Sequence, residues 1–111
     1  MSATITQYNN VVVLNVKDDL AGEYLEAFNE SATQCLDDGH YYLVIDCSAV
    51  SALDSAGLEM LLDLQDKCED AFGSVKLCSL DETLITILEI TRLGRRFECF
   101  DDLDAAVRSF G

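Results

Sequence analysis

The sequence predicts one α/β domain spanning residues 1–111, with helices packed on a mixed sheet of four to five strands. The run Tyr41-Tyr42-Leu43-Val44-Ile45 is continuously apolar, as expected of a strand buried on both faces. From Leu58 onward the apolar spacing changes to about 3.6 residues, which indicates an amphipathic helix. With 111 residues, 50% of them hydrophobic and 25% charged, the chain is long enough and apolar enough to bury a core.

The N-terminal half is predicted to form two strands, a helix and the buried third strand. Residues 5–8 and 11–16 are predicted strands joined at Asn9-Asn10, since asparagine tolerates the positive φ of a tight turn. A helix follows, with Gly39 as its left-handed terminator. Asp46 ends the third strand with a charge. The apolar face of the helix carries Leu25, Phe28, Ala32, Cys35 and Leu36, and its polar face carries Glu23, Glu26, Asn29, Glu30 and Thr33.

The C-terminal half is predicted to alternate three helices with two strands, which completes the order ββαβαβα(β)α with about four helices. Gly73 is expected to end the turn after the second helix, before a strand over residues 74–79, and Gly94 to close the third helix. Asp81 and Asp101 are the expected N-caps of the last two helices, with a short edge strand over residues 97–100 between them. One side of the second helix carries Leu58, Leu61, Leu62, Cys68 and Phe72, one face of the third carries Leu84, Ile87, Leu88 and Thr91, and the last helix is predicted to face inward with Leu103, Ala106, Val107 and Phe110.

The charge and hydropathy of the chain exclude several classes of function. The formal charge is −14, from 21 acidic and 7 basic residues, so the chain lacks the cation surplus with which proteins bind nucleic acid or anionic membranes. A basic protein surface is the partner that this charge favours. No apolar run approaches the roughly 18 residues of a membrane span, and residues 1–6 lack the charged and apolar regions of a secretion signal. We therefore expect a cytoplasmic protein that binds neither nucleic acid nor membrane.

The cysteines and the single histidine give no pattern of a catalytic or metal site. The five cysteines form no C-x-x-C pair, so we expect reduced packing residues, most of them buried. His40 would have to supply every histidine of a catalytic triad or a His/Cys cluster, and an exposed loop position beside Gly39 is expected instead. The sequence therefore predicts no enzyme activity, cofactor or metal. The cysteines are Cys35, Cys47, Cys68, Cys78 and Cys99.

Ser55 is the candidate functional residue, because the turn between the third strand and the second helix displays it. The segment Asp54-Ser55-Ala56-Gly57 is placed at a helix N-terminus, where backbone N–H groups are unpaired and the helix dipole is positive. Asp and Ser are also preferred N-caps, so the residues alone leave a purely capping role open, although neither has the Glu or Gln of a capping box three positions later. Gly57 in the first helical turn costs up to about 1 kcal/mol relative to Ala, which indicates a close approach to this backbone.

Residues 46–58 have the pattern D-x-S-x-V-x-x-h-D-S-x-G-L, where h is apolar, and this pattern resembles the STAS domain, in particular the stand-alone bacterial anti-sigma factor antagonists. The resemblance runs from about Val11 to Val107 and includes Thr91-Arg92-Leu93, where the family often has Thr-Gly-Leu. It implies the STAS fold and a partner-switching role. In this family an anti-sigma factor with serine kinase activity phosphorylates the serine after the second aspartate, here Ser55, and a serine phosphatase removes the phosphate.

The resemblance also implies which residues contact the anti-sigma factor and how the contact is broken. A phosphate on Ser55 would add about −1.5 to −2 charges at a favourable helix N-terminus, but inside a docked interface beside Asp54 it would be costly. Phosphorylation is therefore expected to release the partner without remodelling the domain. Asp46 and Ser48 are expected to fix the loop through bonds from side chain to backbone. The expected partner-binding residues are Asp54, Ser55, Ala56, Gly57, Glu59, Met60 and Asp63.

Departures from the family pattern leave other functions open. Val16-Lys17-Asp18-Asp19 stands where relatives often have Gly-Glu-Leu-Asp, which leaves partner contacts from that loop open. A STAS scaffold that is never phosphorylated would use the same surface, and a nucleotide-binding module is a second alternative, although the chain has no G-x-x-x-x-G-K-[ST] loop. A receiver-like domain with Asp46 as phosphoacceptor is a third; Asp18-Asp19 would supply its acidic pair, but no lysine follows residues 97–100. The basic cluster Arg92, Arg95 and Arg96 is either a solvated helix end or a contact for an anion or partner.

Overall fold

Five strands form one sheet in the order β1-β2-β3-β4-β5 in the computed structural model, which describes residues 3–110. β1 and β2 are antiparallel, and every other pair of neighbours is parallel. The predicted fold class and order of elements are confirmed. The strands are β1 (Ala3–Tyr8), β2 (Val11–Val16), β3 (Tyr42–Asp46), β4 (Ser74–Cys78) and β5 (Glu98–Phe100). The helices are α1 (Leu25–Asp37), α2 (Ser55–Asp70), α3 (Glu82–Thr91) and α4 (Leu103–Arg108), with short 3-10 helices at Gly22–Tyr24 and Leu93–Arg96.

Each face of the sheet is covered by helices, because successive strand residues point to opposite faces. The larger core lies between the sheet and α1, α2 and α3, and the smaller core lies under α4. In the described part of the chain, no helix is both long and apolar enough to cross a bilayer. The strand residues of the larger core are Val12, Leu14, Val16, Leu43, Ile45, Val75 and Leu77, and those of the smaller core are Val11, Val13, Val44 and Cys78.

The buried face of α2 differs from the predicted one at both a polar and an apolar residue. Phe72 lies beyond the helix and is 92% exposed, so its predicted burial is wrong. Gln65 is buried instead: its Nε2 donates to the Val75 carbonyl at 3.1 Å and to the Arg96 carbonyl at 2.6 Å, and its Oε1 accepts from the Val75 N–H at 2.7 Å. Val75 lies one residue before the pairing of β4 with β5 begins. The Gln65 amide thus satisfies the β4 backbone on the side where β5 does not yet pair with it.

The turn between α2 and β4 uses its glycine for space rather than for a positive φ. Phe72 is the left-handed residue, with φ of 64°. A Cβ on Gly73 would lie 2.0 Å from the Tyr41 carbonyl oxygen, so only glycine fits there. Phe72 therefore reverses the chain, and Gly73 ends the turn as predicted and lets β4 start close to β3.

Two predicted helix boundaries near the C-terminus shift by one or two residues. α3 ends at Thr91, its C-cap Arg92 is in the left-handed conformation (φ 61°), and Gly94 lies inside the following 3-10 helix. α4 is capped by Asp102, whose carboxylate accepts the Ala105 N–H at 2.8 Å, and not by Asp101. An aspartate caps through the amide three residues later, and consecutive aspartates make the position ambiguous from sequence.

Other predicted boundaries are confirmed. Gly39 after α1 has φ of 81° and Asn9 in the β1–β2 turn has φ of 57°. The Asp81 carboxylate caps α3 by accepting the Leu84 N–H at 2.8 Å.

Four of the five cysteines are buried and Cys99 is exposed. His40 lies in the loop before β3, but it is half-buried rather than exposed.

Candidate functional site

Ser55 is the first residue of α2, at the end of the loop that leaves the carboxyl end of β3. Its side chain is exposed. The N-cap of α2 is Asp54, which has extended backbone and whose Oδ1 accepts the Gly57 N–H at 2.8 Å. Within residues 3–110 the Ser55 hydroxyl takes part in none of the side-chain hydrogen bonds. The neighbouring carboxylate of Asp54 therefore caps α2, and the Ser55 hydroxyl is not needed for capping.

The second oxygen of Asp54 ties the start of α2 to the segment before α1. Oδ2 accepts the Gly22 N–H at 3.0 Å, so one carboxylate joins two helical N-termini. The backbones beside it also pair: the Leu20 N–H donates to the Ala52 carbonyl at 3.0 Å, and the Asp54 N–H donates to the Leu20 carbonyl at 3.3 Å. The loops before α1 and α2 therefore form one bonded unit.

Asp19 holds the middle of the Ser55 loop. Its Oδ1 accepts from the Ser51 N–H at 2.9 Å, the Ser51 hydroxyl at 3.0 Å and the Ala52 N–H at 3.0 Å. The sequence placed Asp19 in a loop whose partner contacts are left open and in a receiver's acidic pair, but it did not predict this anchoring role. The Asp19 carboxylate is therefore bound by the loop residues Ser51 and Ala52.

The two anchoring carboxylates are held in their charged form. The bonds from Ser51 lower the pKa of Asp19 below its ordinary value, and the bond from the Gly57 N–H, followed by that from Gly22, lowers the pKa of Asp54. Hydrogen bonds donated to a carboxylate favour its ionised form. The site therefore carries fixed negative charge beside Ser55 at neutral pH.

Gly57 supports the site from beneath and is not part of its exposed surface. The residue is buried, and a Cβ there would lie 2.0 Å from the Leu20 carbonyl oxygen and 3.1 Å from a Leu53 side-chain carbon. The close approach expected at this glycine is made by the chain's own Leu20 backbone. Of the expected partner-binding residues, Gly57 therefore lies beneath the exposed ones and packs on Leu20.

The remaining expected contact residues lie at the N-cap and along the first turns of α2, and we call them the Ser55 surface: Asp54, Ser55, Ala56, Glu59, Met60 and Asp63. All are exposed except Met60, which is half-buried and lines a narrow crevice between α2 and α1. Asp63 pairs with Lys67 at 3.2 Å, and Asp66 further along the helix pairs with Arg96. In the part of the chain that the structure describes, Glu59 takes part in no ion pair. The acidic residues on α2 are thus partly neutralised within the chain.

The start of the loop is fixed by Asp46 and by the sheet. The Asp46 carboxylate accepts the Ser48 N–H at 3.0 Å, and the Cys47 N–H donates to the Cys78 carbonyl at 3.0 Å, one step beyond the last paired residues of β3 and β4. The Ser48 side chain is exposed. Between residues 3 and 110 there is no group of three or more His, Cys, Asp or Glu residues placed to hold a metal ion.

Comparison with known proteins matches this fold and this chain to one family. The STAS domain matches residues 2–106. The anti-sigma-F factor antagonist RsfB of Mycobacterium tuberculosis is 28% identical over 110 residues, covering 97% of this chain and 90% of RsfB. The crystal structure of an anti-sigma factor antagonist from Mycobacterium paratuberculosis superposes with a TM-score of 0.86 at 23% identity, covering 96% of this chain and 91% of that one.

The Bacillus protein SpoIIAA is a further structural neighbour. Its structure as an anti-sigma factor antagonist in the unphosphorylated form gives a TM-score of 0.74 at 16% identity, covering 98% of both chains. The phosphorylated form gives 0.76 at 15% identity, covering 98% of this chain and 99% of that one. The match of a family over nearly the whole sequence, with the fold and the residue pattern around Ser55, confirms the predicted resemblance: this chain belongs to the STAS domain family.

Proposed function

We propose that this chain is an anti-sigma factor antagonist that binds an anti-sigma factor through the Ser55 surface and is released by phosphorylation of Ser55. The observation that carries the proposal is the exposed Ser55 side chain at the first position of α2, next to an N-cap already supplied by Asp54. A hydroxyl that served as the cap would have to leave its amide partner before it could accept a phosphate. Here the acceptor hydroxyl is free while the helix start stays capped.

The start of α2 suits a phosphoserine. The first amides of a helix have no carbonyl partner within the helix, and the helix dipole there is positive, which together favour a phosphate by about 0.3–1 kcal/mol. Modification should therefore leave the domain folded. SpoIIAA supports this expectation, since both of its forms have the fold of this chain.

The same phosphate would oppose docking. It would bring about −1.5 to −2 charges into a surface that already carries Asp54 and Glu59, and an interface that covers it would have to remove water from the phosphate. Each 1.4 kcal/mol of such cost weakens binding about tenfold. One phosphate is thus enough to separate the partners, and removal of the phosphate restores the complex.

The proposed partners follow from this scheme. The anti-sigma factor carries the serine kinase activity and presents a basic surface, because this chain has a net charge of −14. A serine phosphatase reverses the modification. The chain is a substrate and a binding module in the cytoplasm, not an enzyme, and RsfB is a relative named for the same role.

The test is phosphorylation by the anti-sigma factor that this chain captures from its source cell, followed by intact-mass measurement and peptide mapping. Wild-type protein should gain one phosphate, and Ser55→Ala should gain none. Ser48→Ala is the matched control, because Ser48 is also exposed and lies on the same loop, and it should be phosphorylated like wild type. A dominant phosphate on Ser48, Ser51 or Thr83 would overturn the assignment.

A further inference from the structure

A second concave site lies between α3, the 3-10 helix at Leu93–Arg96, and β5. The cavity has a volume of about 600 Å³. Ile85, Leu88 and Phe97 provide apolar walls, and Arg92 and Arg95 line it together with Glu89. None of its lining residues belongs to the Ser55 surface. Its volume is within the range of about 300–1,000 Å³ that is common for small-molecule sites.

The charges at this cavity are unusual for this chain. Four of the seven basic residues, Lys67, Lys76, Arg96 and Arg108, form ion pairs with carboxylates of the chain. Among residues 3–110 the cations outside these pairs are Lys17, Arg92 and Arg95, and the two arginines line the same cavity. In a protein with 21 acidic residues, two guanidinium groups that form no ion pair within the described residues leave room for an anion from outside.

The walls and the charges together specify the class of ligand. A planar guanidinium binds a carboxylate through two parallel N–H bonds. Two arginines against one glutamate leave the cavity with a formal charge of +1, which matches a monoanion better than a multiply charged phosphate. The walls formed by Ile85, Leu88 and Phe97 require an apolar body behind the charged group. Phe97 and Leu88 are both buried parts of the main core, so these walls are fixed by the fold.

We propose that this cavity binds a small amphipathic carboxylate, with its carboxylate at Arg92 and Arg95 and its apolar part against Ile85, Leu88 and Phe97. This site is independent of phosphorylation at Ser55. It gives the domain a second input, through a small molecule, besides the one through its partner proteins.

The cavity contains its own reporter. Cys99 lines it and is the exposed cysteine, whereas the other four cysteines are buried. An uncharged thiol reagent such as N-ethylmaleimide should therefore modify Cys99 first in the native protein. A ligand in the cavity should slow that reaction, and mass spectrometry of the alkylated protein measures the rate.

The experiment uses phenylbutyrate as the probe and phenylbutanol as its uncharged counterpart. Phenylbutyrate should protect Cys99 with saturation, and phenylbutanol should protect it far less. Arg95→Gln should raise the half-saturating concentration about tenfold, because it removes a charge-assisted bond. Arg92→Asn should do the same while retaining a residue that tolerates the left-handed conformation at this position.

The matched control is Arg108→Gln, which removes an exposed arginine on α4 and should leave protection unchanged. Chemical shifts of backbone amides provide a second measurement that does not depend on Cys99, and phenylbutyrate should perturb mainly residues 85–99. The proposal is overturned if protection does not saturate, if phenylbutanol protects equally well, or if the shifts fall elsewhere in the chain.

Discussion

Substitution of Ser55 tests whether its hydroxyl has a regulatory or a structural role. Because the Ser55 hydroxyl makes no hydrogen bond within the described residues, Ser55→Ala should change the free energy of unfolding by no more than about 0.5 kcal/mol. For 111 residues the entropy of unfolding is about 0.23 kcal/mol/K, so the melting temperature should move by no more than about 2 °C. Asp54→Ala should lower the melting temperature more, since it removes the bonds to Gly57 and Gly22.

The binding effect should have the opposite pattern. Ser55→Asp places one more negative charge beside Asp54, and a charge pair about 4 Å apart costs about 1 kcal/mol in water and more where the interface excludes water. An added 1–2 kcal/mol corresponds to an affinity about 5- to 30-fold weaker for the anti-sigma factor. Ser55→Ala should bind as tightly as wild type and should stay bound when ATP is added.

Thermal melts followed by circular dichroism and calorimetric binding titrations measure both quantities on each variant. Ser48→Asp is the matched control, since it adds the same charge on the same loop outside the Ser55 surface and should keep parental affinity. Parental affinity in a folded Ser55→Asp protein would refute the electrostatic release argument. A melting temperature lowered by more than about 4 °C in Ser55→Ala would show instead that the hydroxyl is structural.

Three further outcomes are expected from other parts of the molecule. Gln65→Leu should cost about 1–3 kcal/mol of unfolding free energy, because it leaves the buried Val75 N–H without a partner, and urea titration measures this cost. Phe72→Asn should raise the melting temperature by about 2–4 °C, since asparagine tolerates the left-handed conformation better than an exposed phenylalanine, and an unchanged melting temperature would contradict this account. Asp19 and Asp54 have lowered pKa values in the folded state, so their contribution to stability is complete above their ordinary value of 3.8 and is lost as the pH falls through the lower folded values. The urea midpoint should therefore fall steeply below about pH 4, and less so in Asp19→Asn and Asp54→Asn.

The elements that could be predicted from sequence are those whose signal is local and repeated. Apolar runs and 3.6-residue spacing gave the strands and helices, because burial of a face leaves a period in the chain. The position of Ser55 at the start of α2 was predictable for the same reason. Errors occurred where a single residue determines a helix boundary. Asp101 and Asp102 are equally good N-caps by residue type, and Phe72 continues the apolar spacing of α2 beyond the residue where the helix ends.

The interactions that hold the candidate site could not be predicted, because they join distant segments. Asp19 lies 32 positions before Ser51, and neither segment has a sequence pattern that identifies the other as its hydrogen-bond partner. Gln65 left a detectable signal, since a polar residue four positions after Leu61 and three before Cys68 falls on the apolar face. Such a residue is expected to be buried with its hydrogen bonds satisfied, but its partners on β4 and before β5 follow only from the fold.

The bonds from Asp19 and Asp54 also determine what an enzyme acting on Ser55 can recognise. The turn that displays the serine is held by residues 32 positions away, so its shape exists only in the folded chain. A short synthetic peptide with the sequence of residues 46–58 has the serine and its neighbours but not this shape. An enzyme that recognises this folded surface rather than the linear sequence would therefore modify intact molecules and would not modify unfolded or truncated ones. Only molecules that are able to bind the partner would then be phosphorylated and dephosphorylated.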